Sequence, residues 1–256
     1  PEVSADQLWR FHQDLLRRAR LDVYASGRLE PAVWQPRWRS FVDWARQPHA
    51  LASARCLPAA AGSGAISGST WRTVREPATG TQGRLVLGYR APAGIGDPDY
   101  AALVTLNQLW GADSQSRLFQ VIRQGKGLCY HIASDLDAPC AVAFVSAGID
   151  PGDLEEVMTG IGDQLARIAG GQVPSEDLAG ARAVLRSRLA QLDEDPAGMV
   201  AFDYQHRLAG LGQTRVQVGA ALAAVTAADV ARVAAGLRPD TAYFGAPPTG
   251  AVEGPR

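Results

Sequence analysis

The stretch SRLFQVIRQGKGLCYHIAS, residues 116–134, reads as a helix that stops on two glycines, Gly125 and Gly127, and turns directly into a strand. Arg123 falls near the end of that helix and Tyr130 in the strand. A helix end and the strand after it, joined through glycines, can aim both side chains into one cleft. A guanidinium and a phenol placed together can hold a peptide carbonyl, or the oxyanion formed when that carbonyl is attacked. The same residues have a plainer reading. Arg123 near a helix C-terminus favours the macrodipole, and Tyr130 packs with its hydroxyl at the rim. On that reading Leu128, Tyr130 and Ile132 share one face of the strand.

Upstream of this block, TWRTVRE and GRLVLGYRAP (83–92) read as strands, and DPDYAALVTLNQLWG (97–111) as a helix ended by Gly111. Downstream come CYHIASDL, the apolar strand CAVAFVSAGI (140–149), and a helix over GIDPGDLEEVMTGIGDQLARIAGG with acids in its first turn. Helices opened by Ser175 and carried by PAGMVAFDYQHRLAG, TRVQVGAALAAV and TAADVARVAAGL follow, before a last short strand, TAYFGAP (241–247). Strands come early and helices late, which predicts an α+β layer domain with a sheet packed against several helices.

The chain opens differently. Residues 4–21 read as a helix with Ser4 as N-cap and an apolar stripe of Leu8, Phe11, Leu15 and Leu16, followed by a short strand in LDVYASG (21–27). Trp34, Trp38, Phe41 and Trp44 then recur at helical spacing, which predicts a packing face. Residues 57–70, LPAAAGSGAISGST, are small residues and glycine and read as a flexible linker. The expected division is therefore 1–56, a linker over 57–70, and an α+β domain over 71–256. A start at Pro1 rather than Met predicts a processed chain or a fragment.

Composition removes several classes of function. With 256 residues, 46% of them hydrophobic, the chain can build a substantial core. Its 25 basic and 26 acidic residues nearly cancel, so no electrostatic drive toward nucleic acid or an anionic membrane is expected. No apolar run has the length of a membrane span. Cys56, Cys129 and Cys140 are too scattered for a disulfide scaffold or a cysteine zinc site; they predict a reducing, cytoplasmic setting, with Cys129 and Cys140 at strand positions. Neither His-x-x-Glu-His nor His-Glu-x-x-His occurs. His12, His49, His131 and His206 lack a second ligand on the same helical face, so no metal is expected in this chain.

SRLFQVIRQGKGLCYHIAS, with DYAALVTLNQLWG before it and AGIDPGDLEEVMTGIGDQLARIAGGQVPSEDLAGARAVLRSRL after it, resembles the second homologous half of the insulinase/pitrilysin family. These are inverted-motif zinc peptidases whose relatives include the mitochondrial processing peptidase. The resemblance covers residues 68–250, rests on the order Ser-Arg-Leu-Phe, Arg, Gly-Leu-x-Tyr, and is nearest to small bacterial members that work as pairs of unlike chains. Residues 4–30 look like the final helix and strand of the preceding half. The resemblance implies two α+β halves closing on a peptide, one bearing zinc ligands and a glutamate base, the other an arginine and a tyrosine that hold the substrate. Those roles carry over to Arg123 and Tyr130. It also implies a partner: a zinc-bearing homologous chain forming a heterodimer, or an N-terminal half. The alternative is a catalytically dead peptide-binding or scaffold subunit. Two departures stand out. The family's usual Arg-Glu-Lys is Arg123-Gln124-Gly125 here, which predicts an earlier helix end, and the glycine-rich loop of the mitochondrial non-catalytic subunit has no counterpart beyond Gly111.

Overall fold

The structure, a computed structural model, describes residues 3–18, 23–25, 30–45, 71–78 and 80–247. The linker expected over 57–70 lies outside the described residues, and so does the boundary it would mark. Two helices, α1 (Ala5–Arg18) and α2 (Pro31–Ala45), precede it. The order is then β1 (Arg72–Pro77), β2 (Gly83–Arg90), α3 (Tyr100–Trp110), a π-helix (Phe119–Gly125), β3 (Cys129–Asp137) and β4 (Val142–Ile149). After these come α4 (Leu154–Ala169), α5 (Ser175–Gln191), α6 (Pro196–Leu208), α7 (Arg215–Ala224), α8 (Ala227–Gly236) and β5 (Arg238–Ala246).

The sheet has the order β1-β5-β2-β4-β3, with β1 and β5 parallel and the other neighbours antiparallel. The last strand therefore slots between the first two. This is the α+β class that the element order predicts. One face is apolar. Leu85, Leu87 and Tyr89 of β2, Val145, Ala147 and Ile149 of β4, and Ala242 and Phe244 of β5 alternate inward and are buried. They meet Leu103 and Leu106 of α3, Val157 and Ile161 of α4, Leu178 of α5 and Val230 of α8 in one core. Full burial of each large aliphatic side chain stabilises by about 1.5–3 kcal/mol. Tyr89 sits edge-on between Trp71 (5.0 Å) and Trp110 (5.4 Å), tying β2 to α3. The other face of β2 and β4, with Arg84, Val86, Phe144, Ser146 and Gly148, is only partly buried or exposed.

Helix starts follow side-chain chemistry where donors are available. Thr214 and Thr226 form reciprocal capping boxes with Gln217 and Asp229 on α7 and α8, and Asp195 accepts the Ala197 amide at the start of α6. Among the described residues no single helix is long and apolar enough to cross a membrane; α7 and α8 together have the composition but bend by 95° between them.

Helix α5 opens at Ser175 as expected. Three local expectations change. Residues 23–25 of LDVYASG are not in a strand, and the rest of that segment lies outside the described residues. Cys140 lies in the β3–β4 turn, donating its amide to Asp137, whereas Cys129 is on a strand as expected. The last strand begins at Arg238, not residue 241. Of the tryptophan-rich stripe, α2 carries Trp34 half-buried and Trp38 exposed, while the side chains of Phe41 and Trp44 lie outside the described residues.

Candidate functional site

The Ser-Arg-Leu-Phe segment works residue by residue. Ser116 is buried and donates its hydroxyl to the Asp113 carbonyl at 2.5 Å, closing the turn before the helix. The Arg117 guanidinium donates to the Gln172 carbonyl, pinning this helix to the α4–α5 loop. Leu118 and Ile122 are fully buried. Phe119 supplies a ring on which the Arg123 guanidinium lies, 4.7 Å from its centroid. That stacking limits the rotamers of an otherwise exposed arginine.

The helix carrying Arg123 is not an α-helix over most of its length. Residues 119–125 form a π-helix, and the Lys126 amide bonds the Val121 carbonyl five residues back at 3.1 Å. Its wider turns end at Gly125, the first of the two glycines on which the sequence predicts the helix to stop. Wide turns of this kind recur at functional sites. The chain then leaves through Gly127 at φ +67, the left-handed region where a side chain is strained, so the glycine break itself is required.

Tyr130 is set by a second irregularity. The β3–β4 register steps from Cys129↔Ile149 to His131↔Gly148, leaving Tyr130 as the extra residue of a β-bulge. Leu128, Tyr130 and Ile132 therefore do not share one face, as strict alternation predicted. Cys129 and Ile132 point into the core, whereas Tyr130 is 53% exposed. Its hydroxyl donates to Asp150 Oδ1 at 3.1 Å. That bond, the Asp150 charge, a small desolvation and the Asp153 charge together push the phenol pKa upward. The π-helix packs on β3, and the positive charge of Arg123 partly offsets the burial that raises the Cys129 thiol pKa.

Sequence reasoning singled out Arg123 and Tyr130 as candidates but not the groups the structure sets beside them, Phe119 by Arg123 and Asp150 and Asp153 by Tyr130. Phe119 was legible at four residues before Arg123 once a helix is granted. Asp150 was not, because its contact spans 20 residues and depends on the bulge. Nearby, Lys126 and Glu156 pair at 2.9 Å, holding the π-helix end against α4.

The donor set does not fit a zinc ion: among the described residues no group of three histidine, cysteine, aspartate or glutamate side chains could hold a metal. The site is thus an arginine on a π-helix and a tyrosine on a β-bulge, at the start of one strand of a helix-backed sheet, with no set of three metal-ligating side chains among the described residues.

The chain belongs to the peptidase M16 family: the family described as "Peptidase M16 inactive domain" matches residues 2–185. This agrees with the resemblance drawn from Ser-Arg-Leu-Phe through Tyr130. The chain is 26% identical over 243 residues to "Probable inactive metalloprotease YmfF" of Bacillus subtilis (strain 168), covering 95% of this chain and 55% of that protein. It is 35% identical over 107 residues to "Uncharacterized zinc protease ML0855" of Mycobacterium leprae, covering 41% of this chain and 24% of that one. The chain thus spans about half or less of the curated relatives it matches. A conserved protein from Enterococcus faecalis V583 shares the fold with a TM-score of 0.77 and 24% identity, over 98% of this chain and 57% of that one. The peptidase M16 inactive domain from Pseudomonas fluorescens superposes with a TM-score of 0.56 and 18% identity, over 100% of this chain and 60% of that one.

Proposed function

We propose that this chain is the non-catalytic half of a zinc metalloendopeptidase. It closes over a peptide against a zinc-bearing homologous half, supplied by a partner chain in a heterodimer or by an N-terminal half. In this reading Arg123 and Tyr130 hold the substrate carbonyl, and the oxyanion that develops from it, beside the partner's metal.

The observation that carries this reading is the bulge at Tyr130. Regular alternation would bury the ring beside Ile132, and the extra residue turns it outward next to a π-helix that presents Arg123. A second observation supports the partner. Leu8, Trp9, Phe11 and Leu15 of α1 are each at least half exposed, an apolar stripe of the kind that marks a contact surface.

The test is turnover of a peptide substrate by the pair formed with the zinc-bearing homologue. Arg123→Ala and Tyr130→Phe each lower turnover by about a hundredfold to a thousandfold, the usual loss for one oxyanion donor, with melting temperature and pairing unchanged. Full activity in both variants would remove the reading. The scaffold alternative then takes its place. It is favoured by the Tyr130 hydroxyl donating its one proton to Asp150, and by the name of the B. subtilis relative, an inactive metalloprotease.

A further inference from the structure

On the open face of the sheet, at the end where Tyr130 lies, there is a cleft of about 500 Å³. Its walls are the β1–β2 turn (residues 80–83), Arg84, His131 and Ser146, and its floor is Gly148. The sheet register builds it. Arg84 stands opposite Gly148 across β2–β4, and Gly148 stands opposite His131 across β3–β4, so Arg84 and His131 flank one glycine in a single row.

Gly148 is not required by the fold. It does not adopt a left-handed φ, and a Cβ there would meet nothing nearer than Gln82 Oε1 at 3.9 Å. A glycine inside a strand costs about 0.5–1 kcal/mol against alanine. Such a position commonly marks where a ligand or another backbone comes close.

Arg84 is also unusual. Arg90, on the same face of β2, is tied to Asp240 at 2.8 Å. Arg84 is exposed and has no carboxylate within 4 Å among the described residues, and the same is true of His131. Glu76, on the neighbouring side, accepts the Tyr243 hydroxyl at 3.1 Å instead. The cleft therefore offers a free guanidinium fork, an imidazole and a hydroxyl around an open floor.

We propose that this cleft is a carboxylate subsite of the peptide-binding face. Arg84 takes the carboxylate in a forked pair, Ser146 and His131 add donors, and Gly148 leaves the room it occupies. The substrates are then peptides carrying an acidic side chain or a free C-terminus near the bond presented to Tyr130. β2 and β3 lie two interstrand steps apart, about 10 Å. An extended peptide covers that distance in about three residues. The assignment of that bond rests on the reading of Arg123 and Tyr130 given above; the carboxylate site itself does not.

The test uses the full 256-residue chain and three N-acetylated alanine/glycine heptapeptides, with binding followed through backbone amide shifts. One has a central glutamate and an amidated C-terminus, one a central glutamine and an amidated C-terminus, and one no side-chain charge but a free C-terminus. The expected result is that a carboxylate-bearing peptide moves the Arg84, His131 and Gly148 amides and binds about tenfold tighter than the glutamine peptide at low salt. Whichever of the glutamate and free-terminus peptides binds tighter identifies the source of the carboxylate. Arg84→Gln removes the preference, Arg90→Gln keeps it, and Gly148→Val abolishes it with the melting temperature unchanged or raised. Equal binding of all three peptides, a preference that survives Arg84→Gln, or no movement of these amides would overturn the proposal. The two readings fail separately. Turnover that depends on Tyr130 without an acidic preference removes only the subsite; discrimination through Arg84 with turnover indifferent to Arg123 and Tyr130 removes only the proposed function.

Discussion

Two glycines of this fold should respond to the same substitution with opposite signs. Gly111 ends α3 with φ −154 and ψ 8, outside the left-handed region. What it supplies is closeness. A Cβ at Gly111 would lie 2.6 Å from Ser134 Oγ and 2.8 Å from the Ser134 amide nitrogen. That amide donates to the Gly111 carbonyl at 2.9 Å, and Ser134 Oγ meets Asn107 Oδ1 at 2.6 Å. Gly111→Ala must therefore push β3 off the end of α3 and stretch both bonds. Overpacking of this kind costs about 1–3 kcal/mol, and a strained, partly buried hydrogen bond adds about 1 kcal/mol. At 2–4 °C per kcal/mol for a chain of this size, the melting temperature should fall by roughly 10 °C. Gly148→Ala meets open space, removes the excess chain entropy of a strand glycine, and should raise the melting temperature by roughly 1–3 °C. Calorimetry on both variants decides the matter. A Gly111→Ala protein melting within about 2 °C of the parent, or a Gly148→Ala protein melting clearly below it, would refute the steric reasoning.

Three further outcomes follow from the named contacts. In the reconstituted pair, Tyr130→Phe lowers the turnover number while leaving substrate binding nearly unchanged, because the hydroxyl matters most once charge develops on the carbonyl oxygen; a change confined to KM would argue against that role. Asp150→Asn lowers the Tyr130 phenol pKa toward its ordinary value, read as the ultraviolet titration difference between each background and its Tyr130→Phe partner. Since Asp150 raises that pKa, the hydrogen bond's support for the fold is present below the ordinary tyrosine value of 10.0 and is lost as pH rises through the raised one. Asp229, held down to about 2 by the Thr226 hydroxyl and amide and by Arg232, works in the opposite sense. Its contribution to α8 is present above 3.8 and fades as pH falls toward 2, so the melting difference between parent and Asp229→Asn should close in that window.

The parts of this molecule that obey a period were legible in its sequence. The inward row of Leu85, Leu87 and Tyr89, and the helices of the second half, follow from alternation and helical spacing, and their order is enough for the α+β class. The sheet order was not legible. No local signal says that β5 inserts between β1 and β2, because that pairing depends on contacts across most of the domain. At the candidate site, residue identities were readable and orientations were not. A strict period assigns Tyr130 to the face of Ile132, and one extra residue in the strand reverses that; the helix stops at Gly125 as read, but as a π-helix, which no residue spacing announces.

Those two departures from regularity bear on the choice between packing and function for this stretch. A segment shaped by stability alone has a cheap solution at Tyr130. Continuing the alternation would seat the ring in the core beside Ile132, gaining about 1.5–3 kcal/mol of apolar burial. The bulge gives up that burial and a ladder position, and leaves the ring exposed with its hydroxyl on an exposed carboxylate, a contact worth little in water. The π-helix likewise replaces a regular helical turn with a wider one, while Leu118 just before it and Ile122 within it remain buried and Arg123 stays outside on Phe119. Neither feature improves the core, and both hold a hydrogen-bond donor at the surface where β3 begins. Two donors kept outward at the expense of burial are what the proposed function asks of this stretch, and what packing alone does not.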